Sequence, residues 1–236
     1  MPGSSAPRVV ALVAAHDESA TVGETVRALR KLPPIDEVIV VDDGSGDGTA
    51  AAALGAGATV LRIPRRVGKG RALEGALRRW REVDVWLLAD ADLGSSAGGL
   101  GPLLERVLAG DADLAVAVLP PQPGGGFGIV KRLAARGIAA LTGWEPREPL
   151  SGQRAVTAAA LAACRPLARG FGVEVAMTVD ALRAGHRVVE VPCDGLRHRA
   201  TGRGPRGFAH RARQGVDVLR ALLRRALPGL RRGPAR

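Results

Sequence analysis

The 236-residue chain has no tyrosine, three tryptophans and three phenylalanines. So few rings leave little to stack on nucleic-acid bases, which argues against a nucleic-acid partner. It has two cysteines, Cys164 and Cys193, without Cys-x-x-Cys spacing or a Cys/His cluster. Both read as small buried residues in a reducing compartment, with a thiol nucleophile as the lesser reading. No apolar run reaches the ~18 residues of a membrane-spanning helix. The opening MPGSSAPRVV lacks the basic and then apolar pattern of a secretion signal, so a cytoplasmic location is expected. A G-x-x-x-x-G-K-[ST] loop is absent and no G-x-G-x-x-G follows the first strand, which argues against a P-loop NTPase and an NAD-dependent dehydrogenase. HExxH and GxSxG are absent too.

What is present describes a globular domain. Hydrophobic residues make up 46% of the chain and charged residues 24%, and a chain this long needs neither metal nor staple to fold. The net charge of +11 is placed unevenly. Residues 197–236 hold twelve arginines and one acid, Asp217, whereas the rest of the chain is neutral. Lysine occurs only at positions 31, 69 and 131. A neutral body with a basic C-terminal segment suggests an anionic partner there.

Strand-like apolar runs at 8–15, 37–41 (EVIVV, continuously apolar and β-branched after its Glu), 58–63, 84–89 and 113–119 alternate with helical patterns. This order predicts a parallel, doubly wound α/β sheet with ligands at the carboxyl ends of its strands. Ser19 is expected to cap the first helix, whose face is Val22, Val26 and Leu29. PPQPGGGFG (120–128) reads as a loop, 129–142 as a helix, and PREPLSGQRAV as a crossing back into the domain. Helices are expected at about 156–164 and 173–184, with a strand at 187–191. Ala212, Val216, Leu219, Leu223 and Ala226 recur at helical spacing among arginines, a basic amphipathic helix ending before Pro228. The expected division is one domain over 1–207 followed by this helix and tail over 208–236. The tail admits three readings: a solvated helix face, a contact with an anionic membrane surface, or nucleic-acid binding. The helix at 129–142, flanked by Phe127 and Trp144, either joins such a membrane-facing surface or packs on the sheet.

Three acidic clusters fall at strand ends: Asp17-Glu18, Asp42-Asp43 and Asp90/Asp92. Each alone reads first as helix capping. Three at successive strand ends converge on one crevice, where carboxylates repel unless a cation sits among them. A divalent ion bound to a diphosphate fits that pattern. Asp42–Thr49 is not an EF-hand loop, because the terminal Glu is missing and it joins a strand to a helix.

The set AAHDES (14–19), VVDDGSGDGT (40–49), GKGRALEGAL (68–77), LADADL (88–93), PLSGQRAV (149–156), GFGVE (170–174) and HRATGR (198–203) resembles family 2 glycosyltransferases of the GT-A fold. The resemblance covers about residues 8–210 and is strongest to catalytic domains of polyprenyl-phosphate mannosyl- or glucosyltransferases, weaker to glucosyl-3-phosphoglycerate synthases. It implies a GT-A type fold: a mostly parallel doubly wound sheet with flanking helices. It also implies transfer of a hexose from a UDP- or GDP-linked donor to an acceptor, with inversion and with Mg2+ or Mn2+. The acceptor it favours is a polyprenyl phosphate. The alternatives are a small soluble acceptor such as 3-phosphoglycerate, or an inactive module that binds a nucleotide-sugar or a partner.

Carried over residue by residue, the resemblance places Ala14, Ala15, Asp17, Glu18, Asp43 and Lys69 at the donor nucleotide. Asp90, Ala91 and Asp92 match the DxD that holds the metal and the diphosphate, with His198 as a third ligand. Arg199 and Arg203 reach the diphosphate. Ser151, Gly152 and Gln153, with Arg147 just before them, match the acceptor loop. Glu174 falls where hydroxyl-directed relatives hold a catalytic carboxylate; its other reading is an acid at a helix N-terminus. The sequence departs from the pattern at Gly94, where a ligand side chain is missing, at Gln153, where Phe is usual, and in lacking a C-terminal transmembrane pair. Attachment to a lipid acceptor would therefore be peripheral, on the inner face of the membrane. A nucleotidyltransferase would present a glycine-rich basic loop straight after the first strand, which AAHDES is not.

Overall fold

The computed structural model describes residues 6–120, 128–197 and 205–227, with the side chains of 205–212 outside that description. Seven strands form one sheet in the order β3-β2-β1-β4-β6-β5-β7. Strands β1 (Val9–Ala15), β2 (Glu37–Asp43), β3 (Thr59–Ile63) and β4 (Val85–Asp90) run parallel. β5 (Leu114–Val118) pairs in parallel with β7 (Val188–Pro192). β6 (Arg154–Thr157) lies antiparallel between β4 and β5. The sheet is thus mostly parallel, as expected, but PREPLSGQRAV contributes a strand the sequence pattern does not announce. β6 is four residues long and carries an arginine, so neither length nor hydrophobicity marks it.

Alternation along β1 shows how the layers form. Val9, Ala11 and Val13 face a core shared with α1 (Val22–Leu29), α2 (Thr49–Gly55) and α4 (Gly101–Leu108). Val10 and Leu12 face the opposite core, shared with α3 (Lys69–Arg79), α6 (Ala158–Ala163) and α7 (Val173–Arg183). The period of two in a strand sends neighbours to opposite faces, and both faces are covered. Residues such as Leu12 and Ile39 are fully buried, each stabilising the fold by roughly 1.5–3 kcal/mol. Ser19 does not cap α1: Thr21 is the N-cap residue, and its side chain makes no capping bond to the helix. The Ser19 backbone N–H donates to Asp47 Oδ2 at 3.2 Å, tying the β1–α1 loop to the β2–α2 loop. A 3-10 turn over Gly94–Leu100 leads into α4.

A third core lies outside the sheet, between α5 (Ile129–Thr142), α7 and α8 (Pro205–Ala226). Helix α8 turns inward Val218, Ala221 and Leu222, not the row read from the sequence. Two glycines set that rotation. A Cβ on Gly137 would come within 2.3 Å of Leu222, and one on Gly172 within 2.8 Å of Ala221. These notches accept the Ala221/Leu222 edge, leaving Val216, Leu219, Leu223 and Leu227 about half exposed. Trp144 is part-buried against two of the cores, and α5 packs on α7 and α8 instead of directly on the sheet. No helix among the described residues is long and apolar enough to cross a membrane. Phe127 and the tail beyond 227 lie outside the described residues.

Candidate active site

Parallel strands deliver their carboxyl ends to one edge. Ala14 pairs with Val41 on one side and Asp90 on the other, and Ala15 pairs with Asp42. Because β6 runs the other way, its beginning reaches the same edge, with Arg154 opposite Leu88. Ser151, Gly152 and Gln153 therefore stand beside Asp90.

At this edge Lys69 joins two carboxylates. Its Nζ donates to Asp90 Oδ1 at 2.7 Å and to Glu174 Oε1 at 2.8 Å. Lys69 is the first residue of α3 and Glu174 the second of α7, so both side chains come from first helical turns. Burial alone would pull the Lys69 ammonium down; the charges and hydrogen bonds of Asp90 and Glu174 outweigh it and hold the group above the usual lysine range. Glu174 Oε2 makes no hydrogen bond among the described residues.

The surroundings fix this cluster from several sides. Gln153, fully buried, accepts the Asp90 backbone N–H at 3.0 Å and donates Nε2 to Asp90 Oδ2 at 2.8 Å. A Cβ on Gly152 would lie 2.6 Å from both Asp90 Oδ2 and Lys69 Nζ, so only glycine leaves the ion pair intact. Arg154, fully buried, donates to the Ser151 carbonyl at 2.8 Å and to Thr178 Oγ1 at 3.0 Å. Burial pushes the Arg154 guanidinium down to about 10, against the pull of the Glu174 charge. The buried Ser151 Oγ has no partner among the described residues. Asp43 points away from solvent and grips the turn ahead of α3, accepting the Val67 and Gly68 N–H groups at 2.7 and 2.8 Å. That bond pair sets where Lys69 begins its helix.

Thr25, a residue the sequence reading passed over, holds the turn after β4. Its Oγ1 donates to the Ala91 carbonyl at 2.9 Å and accepts the Gly94 N–H at 2.8 Å. A buried Thr in an amphipathic helix looks like any core position, so no signal marked it. The Arg197 N–H donates to Ser96 Oγ at 3.1 Å, which anchors the chain next to that turn just before His198. His198, Arg199 and Arg203 themselves lie outside the described residues.

The remaining expected residues are placed as follows. Asp17, at φ 55°, accepts the Gly46 N–H at 2.9 Å, and its own N–H donates to Ser45 Oγ at 2.9 Å. Glu18 receives the Thr21 hydroxyl at 3.1 Å, and its N–H donates to Thr49 Oγ1 at 2.8 Å. Both acids stitch the loops after β1 and β2 together. The backbone N–H groups of Arg147 and Glu148 donate to the Glu190 carboxylate at 2.9 and 2.7 Å. The Arg147 guanidinium is exposed and makes no ion pair among the described residues. The structure thus brings Lys69, Asp90, Gly152, Gln153 and Glu174 into contact, with Asp92 two residues on, and leaves Arg147 at the periphery.

Asp90 and Asp92 supply hard carboxylate oxygens. Among the described residues no group of three or more His, Cys, Asp or Glu stands together as a cage. Mg2+ and Mn2+ are commonly held by one or two carboxylates with water and phosphate oxygens completing the shell. This donor set fits an ion that binds together with a diphosphate.

Comparison with known proteins gives this edge its context. The sequence model of glycosyl transferase family 2 matches residues 10–171, and the chain belongs to that family. It is 33% identical over 204 residues to a glucosyl-3-phosphoglycerate synthase of Mycolicibacterium paratuberculosis, covering 75% of this chain and 61% of that protein. It is 31% identical to an undecaprenyl-phosphate mannosyltransferase of Micrococcus luteus, covering 78% of this chain and 82% of that protein. A glucosyl-3-phosphoglycerate synthase from Mycobacterium tuberculosis, solved with Mn2+, UDP-glucose and phosphoglyceric acid, superposes with a TM-score of 0.76 at 26% identity, covering 94% of this chain and 81% of that one. The same protein solved with Mg2+ and UDP gives a TM-score of 0.79. The architecture is therefore that of the GT-A neighbours. The chain spans about three fifths of the length of the synthases it matches.

Proposed function

We propose that the chain transfers a hexose, with inversion, from a nucleotide-sugar to a phosphorylated acceptor at the carboxyl edge of β1, β2 and β4. The observation that carries this reading is the Asp90–Lys69–Glu174 cluster closed by Gly152 and followed by Asp92. Asp90 and Asp92 would hold Mg2+ or Mn2+, which supplies charge stabilisation to the departing nucleoside diphosphate. Lys69 keeps Asp90 oriented through its 2.7 Å bond to Oδ1. Glu174 presents Oε2 toward the acceptor and takes the proton of an acceptor hydroxyl. Ser151 and Gly152 line the acceptor side. Asp43 and the Ala14–Ala15 strand end build the nucleotide side; by the family likeness Arg199 and Arg203 would reach the diphosphate and His198 would serve as a metal ligand.

A small acid of the phosphoglycerate type is the acceptor best supported by the relatives, since glucosyl-3-phosphoglycerate synthases recur among them in sequence and structure. A second reading, a polyprenyl phosphate at a membrane surface, is favoured by the outward apolar row of α8 and by the mannosyltransferase likeness. An acceptor phosphate brings its own anionic oxygen, and Glu174 then only orients it. In that reading the protein works peripherally on the inner face of the membrane.

The test is a transfer assay with Mn2+ or Mg2+. It offers UDP-glucose, UDP-GlcNAc and GDP-mannose against 3-phosphoglycerate and a short polyprenyl phosphate, with Asp92→Ala as control. Metal-dependent transfer to the soluble acid, lost in the variant, supports the first reading. Transfer only to the lipid phosphate moves the reading to the second. No turnover and no binding of any donor overturns both.

A further inference from the structure

Away from this edge, a groove of about 820 Å3 runs between α3, the 163–169 loop, α7 and α8. Eight arginines and three acids line it, an excess of five positive charges. The acids are all engaged. Glu74 pairs with Arg165 at 2.8 Å and with Arg78 at 3.7 Å, Asp180 pairs with Arg225, and Asp217 lies 4.0 Å from Arg220. Arg71, Arg169 and Arg224 are exposed, and their guanidinium groups make no hydrogen bond or ion pair among the described residues.

Unneutralised guanidinium groups facing one groove repel each other unless an anion lies between them. Arginine's planar fork of donors suits phosphate oxygens above other anions. The spacing argues for more than one phosphate. Arg71 and Arg78 stand two helical turns apart on α3, about 10 Å. Arg220 and Arg224 stand one turn apart on the facing wall of α8. A single phosphate cannot reach both ends of such a row.

We propose that this groove is a second binding site, for a ligand carrying two or more phosphate groups along its length. The site is separate from the Lys69 cluster. Lys69 turns to Asp90 and Glu174, while Gly70 and Arg71, next in the chain, line the groove. Gly70 lies against the Ala168 carbonyl, where a Cβ would come within 1.9 Å. Occupancy is therefore placed to bear on the helix start that holds Lys69. The proposal does not depend on which acceptor the carboxyl-edge site uses.

The test is calorimetric titration of inorganic tripolyphosphate in EDTA, against the wild-type chain, Arg71→Ala/Arg224→Ala and Asp90→Asn. The expected result is one site, weakened at least about tenfold in the arginine variant and unchanged in Asp90→Asn, with inorganic monophosphate binding more weakly. Thermal unfolding without ligand checks that the arginine variant folds. A parallel arm measures sedimentation with phosphatidylcholine vesicles containing phosphatidylglycerol. Vesicle binding that needs Arg71 and Arg224 assigns the phosphates to lipid headgroups; vesicle binding indifferent to them, beside arginine-dependent tripolyphosphate binding, assigns them to a soluble ligand. Equal affinity in wild type and the arginine variant in both arms, or loss only in Asp90→Asn, overturns the proposal.

Discussion

Gln153 holds Asp90 at two points, accepting its backbone N–H at 3.0 Å and donating to its carboxylate at 2.8 Å. A side chain standing in a loop matched to acceptor recognition thus faces inward and positions a carboxylate. Gln153→Leu removes both bonds. A hydrogen bond to a charged group contributes about 1.5–3 kcal/mol, so kcat/KM for donor should fall roughly tenfold to a hundredfold. Gln153→Glu sets a second carboxylate against Asp90 and should lose more. Steady-state kinetics over a donor series measures both.

Gly152 is confined by the ion pair it touches. Gly152→Ala drives a methyl group to 2.6 Å from Asp90 Oδ2 and Lys69 Nζ, and overpacking of this kind costs about 1–3 kcal/mol. Activity should fall at least tenfold while the thermal midpoint drops only a few degrees. Gly46→Ala, where a Cβ meets nothing within 4 Å, is the silent control. Equal activity in the two variants would contradict the geometry.

Lys69 balances Asp90 and Glu174. Lys69→Met leaves two carboxylates facing each other without a cation, an imbalance of about 3 kcal/mol at a largely buried site. Adding Glu174→Gln to Lys69→Met should recover part of that loss. The coupling is read from denaturant unfolding of the two singles and the double. Strict additivity would show that the bridge carries no stability.

Cys164 and Cys193 offer a pH test of the core. Burial pushes their thiols up to about 12 and about 11. The native chain should therefore show no thiol reactive toward a disulfide reagent at pH 8, and two in denaturant. The unfolded thiols ionise near pH 9 while the folded ones keep their protons. This contribution is complete below pH 9 and is lost as pH rises from about 9 to 12. Alanine at both positions should flatten that alkaline decline in unfolding free energy.

The apolar runs made β1, β2, β3, β4, β5 and β7 legible, the interior parallel strands most plainly because they are apolar on both faces. β6 escaped because its one charged residue, Arg154, is buried on hydrogen bonds to the Ser151 carbonyl and Thr178 Oγ1 that the sequence does not show, and a pattern of four residues carries no period. Strand order is likewise invisible until β6 is seen to run antiparallel between β4 and β5. In the site, residue types were readable but directions were not. Asp43, Asp17 and Glu18 hold loop backbone and hydroxyl groups, which a list of carboxylates at strand ends does not reveal. The helical spacing in α8 was correct in period, yet the notches at Gly137 and Gly172 choose which face turns inward.

The most direct measurement is calorimetric titration of UDP-glucose into the chain with Mn2+ and then with EDTA, repeated for Asp90→Asn and Asp92→Ala. The account predicts binding that needs both the metal and the two aspartates. Equal affinity in EDTA, or in Asp92→Ala with Mn2+, would contradict a donor site at the carboxyl edge of β4.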